Sequence, residues 1–284
     1  MEKQKKGFIN IEGPTLKARL QTAINQGAQK RFWIGYSFDV RAGVGVEVNI
    51  EGSSGASLDF DVIVGQLGPY ETRNVGIFLL YEPGGTLISR AEVYNLDLNH
   101  DFERNSVFWL GHAMTQESLD LLQELLAPAQ SGDVANGLVT AVAIHDGPQP
   151  ESLLRNLVNT STVAQTRVFS VKWLGRVSDD IMFLAGIARN DVEGYEIRSQ
   201  AISAIGRNSS ASVLSTLRSI YDSISDSRLK RDTIDAAFKS RDREGGIEFV
   251  RHIADSDPDE QLRQYAASRL KKLKKLDKKA SKGN

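Results

Sequence analysis

The chain has 284 residues, 40% of them hydrophobic and 25% charged, with 35 Lys and Arg against 36 Asp and Glu. That is an ordinary globular composition, and the lack of any cysteine excludes disulfides and thiolate metal sites. No apolar run is long enough to cross a bilayer, and the charged opening residues 1–6 lead into no apolar signal segment, so the expected location is cytoplasmic, or exported if a leader has been removed.

Residues 14–30 open with Pro14 and place Leu16, Leu20, Ala23 and Ile24 at helical spacing, which predicts a leading helix. After Lys30 the period changes to two. Phe32, Ile34, Tyr36, Phe38 and Val40 share one face. Val44, Val46, Val48 and Ile50 form a second such series, and Leu58, Phe60, Val62 and Val64 a third. Val75, Ile77, Leu79 and Tyr81 make a fourth strand, and Leu87 to Tyr94 a fifth. Gly- and Pro-bearing turns lie between them, and such short connections predict antiparallel pairing. Gly43-Val44-Gly45, a fragment of a dinucleotide fingerprint, opens no helix and reads as a hairpin turn.

From about Phe102 the pattern reads as helical. Val107-Phe108-Trp109-Leu110-Gly111 returns as Val171-Lys172-Trp173-Leu174-Gly175 and, more weakly, as Ala204-Ile205-Gly206. One register through Leu110, Ile144, Leu174, Ile205, Phe238 and Leu270 has spacings of 34, 30, 31, 33 and 32 residues. A period of that length is the mark of a helical repeat array. Seven residues before the registered position stand Arg167, Arg198, Arg231 and Arg263, while Glu103 and Gly137 depart from the pattern. A second helix in each unit carries an apolar triple: Leu122, Leu125 and Leu126; Leu154, Leu157 and Val158; Leu184, Ile187 and Ala188; Leu217, Ile220 and Tyr221; Val250, Ile253 and Ala254. Helices this short must bury their stripes on neighbours.

The stretch from Asp257 to Leu270 resembles the first helix of a HEAT repeat, and the Trp109 and Trp173 versions look like bacterial HEAT-repeat proteins in which tryptophan-bearing helices recur. The resemblance covers residues 102 to about 276 and implies a scaffold for protein contacts, with the registered arginines in a polar ladder between repeats. It carries no reaction with it. The HEAT-like iron hydroxylases need His-Glu dyads that this chain lacks, and nothing supports the activity of the helical phycobilin lyases.

Inside the second-helix triples, Arg155, Arg218 and Arg251 recur at one register, with His252 beside the last. If second helices line a concave side, these side chains form a basic row suited to an acidic segment of a partner or to a phosphate. His145-Asp146 reads as a structural polar turn ending a helix, where a protonatable side chain is favoured by the dipole, rather than as a ligand or base. Trp109 and Trp173, one residue before the registered position, read as packing residues rather than ligand platforms. Charge is uneven: residues 101–268 hold 17 Lys and Arg against 24 Asp and Glu, and residues 269–284 hold 8 against 1. The terminal lysines have no interleaved aromatic, so they read as a solubilising helix that frays.

The expected fold is α+β: an antiparallel β domain with a leading helix over 1–101, an α-solenoid of about six HEAT-like repeats over 102–276, and a basic disordered tail over 277–284. The expected function is a non-enzymatic interaction scaffold that binds an acidic protein segment. The alternatives are nucleic-acid association through the tail and groove arginines, or a lyase or hydrolase with an unrecognised site. No cofactor, metal or membrane insertion is implied.

Overall fold

The computed structural model describes residues 7–51, 57–128 and 130–280. Contacts divide the chain into two units, one through Ser170 and one from Val171 onward.

The first unit opens with β1 (Ile9–Asn10) and α1 (Leu16–Gly27). Thr15 caps α1 by accepting from the Ala18 amide at 3.2 Å. Next come β2 (Phe32–Ser37), β3 (Val44–Glu51), β4 (Ser57–Val64), β5 (Val75–Tyr81), β6 (Ile88–Asn95) and β7 (Ser106–His112). Five of these form one sheet in the order β1-β7-β2-β5-β6, while β3 and β4 pair only with each other. The β2–β5, β5–β6 and β3–β4 pairs are antiparallel, as short connections require. Gly43-Val44-Gly45 is not a hairpin turn: Val44 and Gly45 lie inside β3, paired with β4, and the preceding β2 belongs to the other sheet.

β7 departs from the sequence expectation. The Val107-to-Gly111 copy of the repeat motif is a strand, inserted parallel to both β1 and β2, so the sheet is mixed. The helical part therefore begins at Thr115, and Leu110 and Trp109 drop out of the helical register. The physical reason lies in the residues: four successive apolar side chains with a β-branched start suit a strand buried on both faces. Trp109 faces Phe78 and Phe8, while Phe108 meets Phe32 edge-on on the opposite face.

Alternation sorts the sheet into two faces. Phe32, Ile34 and Tyr36 pair across to Tyr81, Leu79 and Ile77 on the face that carries helices. Trp33, Phe78, Leu80, Val107 and Trp109 make an aromatic cluster on the other, covered by Phe8, Tyr94 and Phe102. On the helical face pack α2 (Thr115–Leu126) and α3 (Gly132–Ile144), with α4 (Gln149–Thr160) following. α3 is buried on nearly every side from Val134 to Ile144. Gly137, the position that breaks the arginine register, lets α3 touch β6: a Cβ there would fall 1.8 Å from the Ala91 carbonyl oxygen.

The second unit is helical. It takes the last turns of α5 (Ala164–Val177), then α6 (Ile181–Arg189), α7 (Tyr195–Arg207), α8 (Val213–Ser223), α9 (Ser227–Ala237), α10 (Arg243–Ser256) and α11 (Glu260–Ala280). Asp180, Asp226 and Asp242 cap the starts of α6, α9 and α10. α7 packs on α6, α8 and α9, and α11 on α9 and α10. Leu184, Leu217, Ile220, Val250 and Ile253 are buried, each contributing about 1.5–3 kcal/mol relative to exposure. α11 continues to Ala280, so residues 277–280 of the expected tail are helical backbone, and 281–284 lie outside the described residues.

Three of the four registered arginines do one job. Arg167 Nε donates to the Val158 carbonyl at 2.6 Å, Arg198 Nε to Ala188 at 3.0 Å, and Arg263 Nη1 to Asp257 at 2.7 Å. Each acceptor lies at or just past the carboxyl end of the preceding helix, where carbonyls lack intrahelical partners and a cation meets the negative end of the dipole. Arg231 differs: it reaches Gln261 at 3.3 Å and lies over Tyr265.

Candidate functional site

Of the residues expected to form a basic row, Arg155 belongs to the first unit and Arg218, Arg251 and His252 to the second. Arg155, on α4 in the first unit, forms an ion pair with Glu151 one turn back at 2.7 Å. Arg218 on α8 and Arg251 on α10 are exposed in the second unit. The Arg218 guanidinium lies 5.4 Å from the Phe249 ring centroid, and His252 Nδ1 lies 3.3 Å from Ser256 Oγ.

A denser set of cations occupies the ends of α5, α7 and α9 in the same unit. Its origin is the glycine of the repeat motif. At Gly175 a Cβ would meet the Ala204 Cβ at 2.5 Å, and at Gly206 the Ala236 carbonyl oxygen at 2.6 Å. Only glycine lets α5 approach α7, and α7 approach α9, so closely. The residue after each glycine is an arginine, Arg176 and Arg207, and Lys239 follows 32 residues on at the end of α9. Close packing of the helices thus crowds their terminal cations.

The crowding has an electrostatic signature. Partial burial lowers the Lys172 ammonium pKa, and the charges of Arg176 and Arg207 lower it further. Burial and Arg207 lower that of Arg176, and burial and Arg207 act likewise on Lys239, against weaker opposition from Asp235 and Asp232. Arg176 lies over the Trp173 ring, 4.9 Å from its centroid, and Lys239 Nζ reaches Ser203 Oγ at 3.5 Å. Among the described residues, no carboxylate pairs with Lys172, Arg176, Arg207 or Lys239. Placement at helix carboxyl ends suits a cation, and an anion would relieve the repulsion that Arg207 exerts on the other three. The sequence signal was the residue after each motif glycine.

His145 lies elsewhere, in a buried network of the first unit. Its Nδ1 is 2.6 Å from the Ala141 carbonyl and its Nε2 2.8 Å from Ser118 Oγ, which lies 3.1 Å from the Tyr36 hydroxyl. A carbonyl only accepts, so Nδ1 carries the proton and Nε2 accepts from Ser118, leaving Tyr36 to donate to Ser118. The ring stacks on Phe38 with centroids 3.9 Å apart. Burial pushes its pKa down to about 4. Desolvation outweighs the favourable field of the helix end and keeps the ring neutral. Residues 39–41 lie against it, with Arg41 and Asp146 amides bonded to Ile144 and Asp39 carbonyls at 3.0 Å. The arrangement joins α2, α3 and β2.

Trp109 and Trp173 are both buried and line no open surface. Among the described residues, no group of three or more His, Asp or Glu stands ready for a metal ion, and no helix is long and apolar enough to cross a membrane. No family model matches the chain, and no curated protein matches it.

Proposed function

We propose that the chain is a non-enzymatic interaction protein whose helical part, read as HEAT-like repeats, binds an acidic segment of a partner protein. The observation that carries this reading is the set Lys172, Arg176, Arg207 and Lys239, cations at the ends of α5, α7 and α9 with no carboxylate partner among the described residues. The repeat reading is supported by the recurring spacing and by arginines that cap the preceding helix. An extended chain of carboxylates engaging several such sites gains avidity that one exposed ion pair does not give.

The test is fluorescence anisotropy of a labelled Glu- and Asp-rich peptide with the full chain. Reversal of Arg176, Arg207 and Lys239 to Glu is expected to abolish binding with little change in thermal midpoint, since these side chains are exposed. Reversal of Arg218 and Arg251 measures the share of α8 and α10. Binding untouched by the triple reversal defeats the reading. A duplex DNA that outcompetes the peptide, with a steep salt dependence, favours the nucleic-acid alternative carried by the lysines of α11.

A further inference from the structure

A second group of cations without carboxylate partners among the described residues lies in the first unit. Between the carboxyl end of α1 and the turn entering β7 is a cleft of about 320 Å³. Its floor includes Phe32 and Phe108, rings in edge-on contact at 5.6 Å. Gly27 closes one wall. A Cβ there would strike the Phe32 ring at 2.5 Å, so glycine sets how closely the helix end approaches the floor.

The opposite wall is a strained turn. Glu103 and Arg104 are successive non-glycine residues in the left-handed region, at φ 55 and 60. Such a conformation persists only where surrounding bonds over-determine it, and it gathers at binding sites. Here the Glu103 amide donates to Asp101 Oδ1 at 2.8 Å, and the Asn105 amide and side chain both donate to the Phe102 carbonyl at 3.0 Å. The Glu103 carboxylate is held by Arg90 at 2.9 Å and Arg31 at 3.8 Å, and Arg31 also meets Glu82 at 3.0 Å. Those charges offset one another. Lys30 and Arg104, which line the cleft from its two walls, have no carboxylate partner among the described residues. Arg31, already paired with Glu82 and Glu103, also lines the cleft; its other polar groups are neutral, the amides of Gln26, Gln29 and Asn105 and the Ser106 hydroxyl.

We infer that this cleft binds a small phosphorylated polyol of the sugar-phosphate class. Two cations facing one space match a dianion, and Arg104 supplies the planar fork that suits a phosphate. The side-chain amides and Ser106 match hydroxyl groups, and the aromatic floor covers the carbon skeleton. The volume suits a small ligand rather than a dinucleotide or a folded partner.

The test uses the full chain and glucose 6-phosphate, with glucose and inorganic phosphate as partial probes, read by calorimetry and thermal shift. Saturable binding of glucose 6-phosphate is expected, tighter than that of either partial probe. Lys30→Ala and Arg104→Ala should each weaken it by about tenfold or more. Arg104→Gly is the decisive variant. Glycine adopts the left-handed conformation without strain, so the protein should melt at a higher temperature while losing the ligand, a combination that a merely structural arginine does not produce. Binding unchanged in all three variants, no binding by any of the three probes, or selective binding of a phosphoserine peptide with sugar phosphates refused overturns the inference. None of these results bears on the acidic-peptide assay of the second unit.

Discussion

Acidification should weaken the first unit through His145. In the folded protein burial holds this ring near pKa 4, against 6.5 for the free side chain. Above pH 6.5 the ring is neutral in both folded and unfolded chains and contributes no pH dependence. As pH falls below 6.5 the unfolded chain takes up a proton that the folded one refuses, so stability falls until pH reaches about 4, where the folded ring titrates too. At about 1.4 kcal/mol per unit, a gap of roughly two and a half units amounts to about 3 kcal/mol lost across the window. The geometry explains the resistance. A proton on Nε2 would face Ser118 with a donor, so Ser118 and then Tyr36 would have to reverse, inside a site where all three residues are buried. The assay is urea unfolding at pH 7 and pH 4.5, followed by tryptophan fluorescence in a Trp173→Phe background, so that Trp33 and Trp109 report on the first unit alone. The parent should lose about 2–3 kcal/mol more than His145→Gln over this interval, because the glutamine cannot titrate. Equal acid-linked losses in the two proteins, or a His145 ring proton that titrates near pH 6.5 by NMR, would refute the reasoning.

Two further outcomes follow from packing. Gly137→Ala must push α3 away from β6, because the Ala91 carbonyl oxygen sits where the new methyl would go; a cost of about 3 kcal/mol, the upper end for overpacking, is expected in denaturant unfolding of the first unit. Trp173→Ala empties a fully buried site and should cost about 3–5 kcal/mol, while iodide should quench the native tryptophan emission poorly, since Trp33 and Trp109 are buried as well.

Strands with clean alternation were legible from the sequence. Phe32 to Ser37, Val75 to Tyr81 and the β3–β4 pair fall where the period of two puts them, because one face of each series is uniformly apolar. β7 was not legible as a strand. A short apolar run has no period, and its likeness to the α5 motif at Trp173 drew it into the helical register. Parallel pairing was hidden for a related reason: β2 and β7 meet across the whole stretch that holds β3 to β6, and no local turn announces such a pair. The second-helix triples were legible because 3.6-residue periodicity survives in short amphipathic helices, and Leu154, Leu157 and Val158 are all buried in α4. The cation row escaped because attention to core registers stops at the glycine, and the charge that matters is the next residue. The cleft escaped because its two cations lie far apart in the chain and are joined only by the sheet.

The position of β7 also governs when the first unit can fold as the chain leaves the ribosome. β2, β5 and β6 form an antiparallel set that can assemble as soon as Asn95 has emerged. Among the described residues β1, made first, has no partner in the sheet except β7, the last strand of them to emerge. Until residue 112 is clear, β2 presents an open edge and Trp33 and Phe78 lack the cover of Trp109. Such non-local closure is slow and leaves a sticky intermediate in the meantime. Ribosomal pausing before β7 would therefore lengthen the period in which that edge is open to another chain.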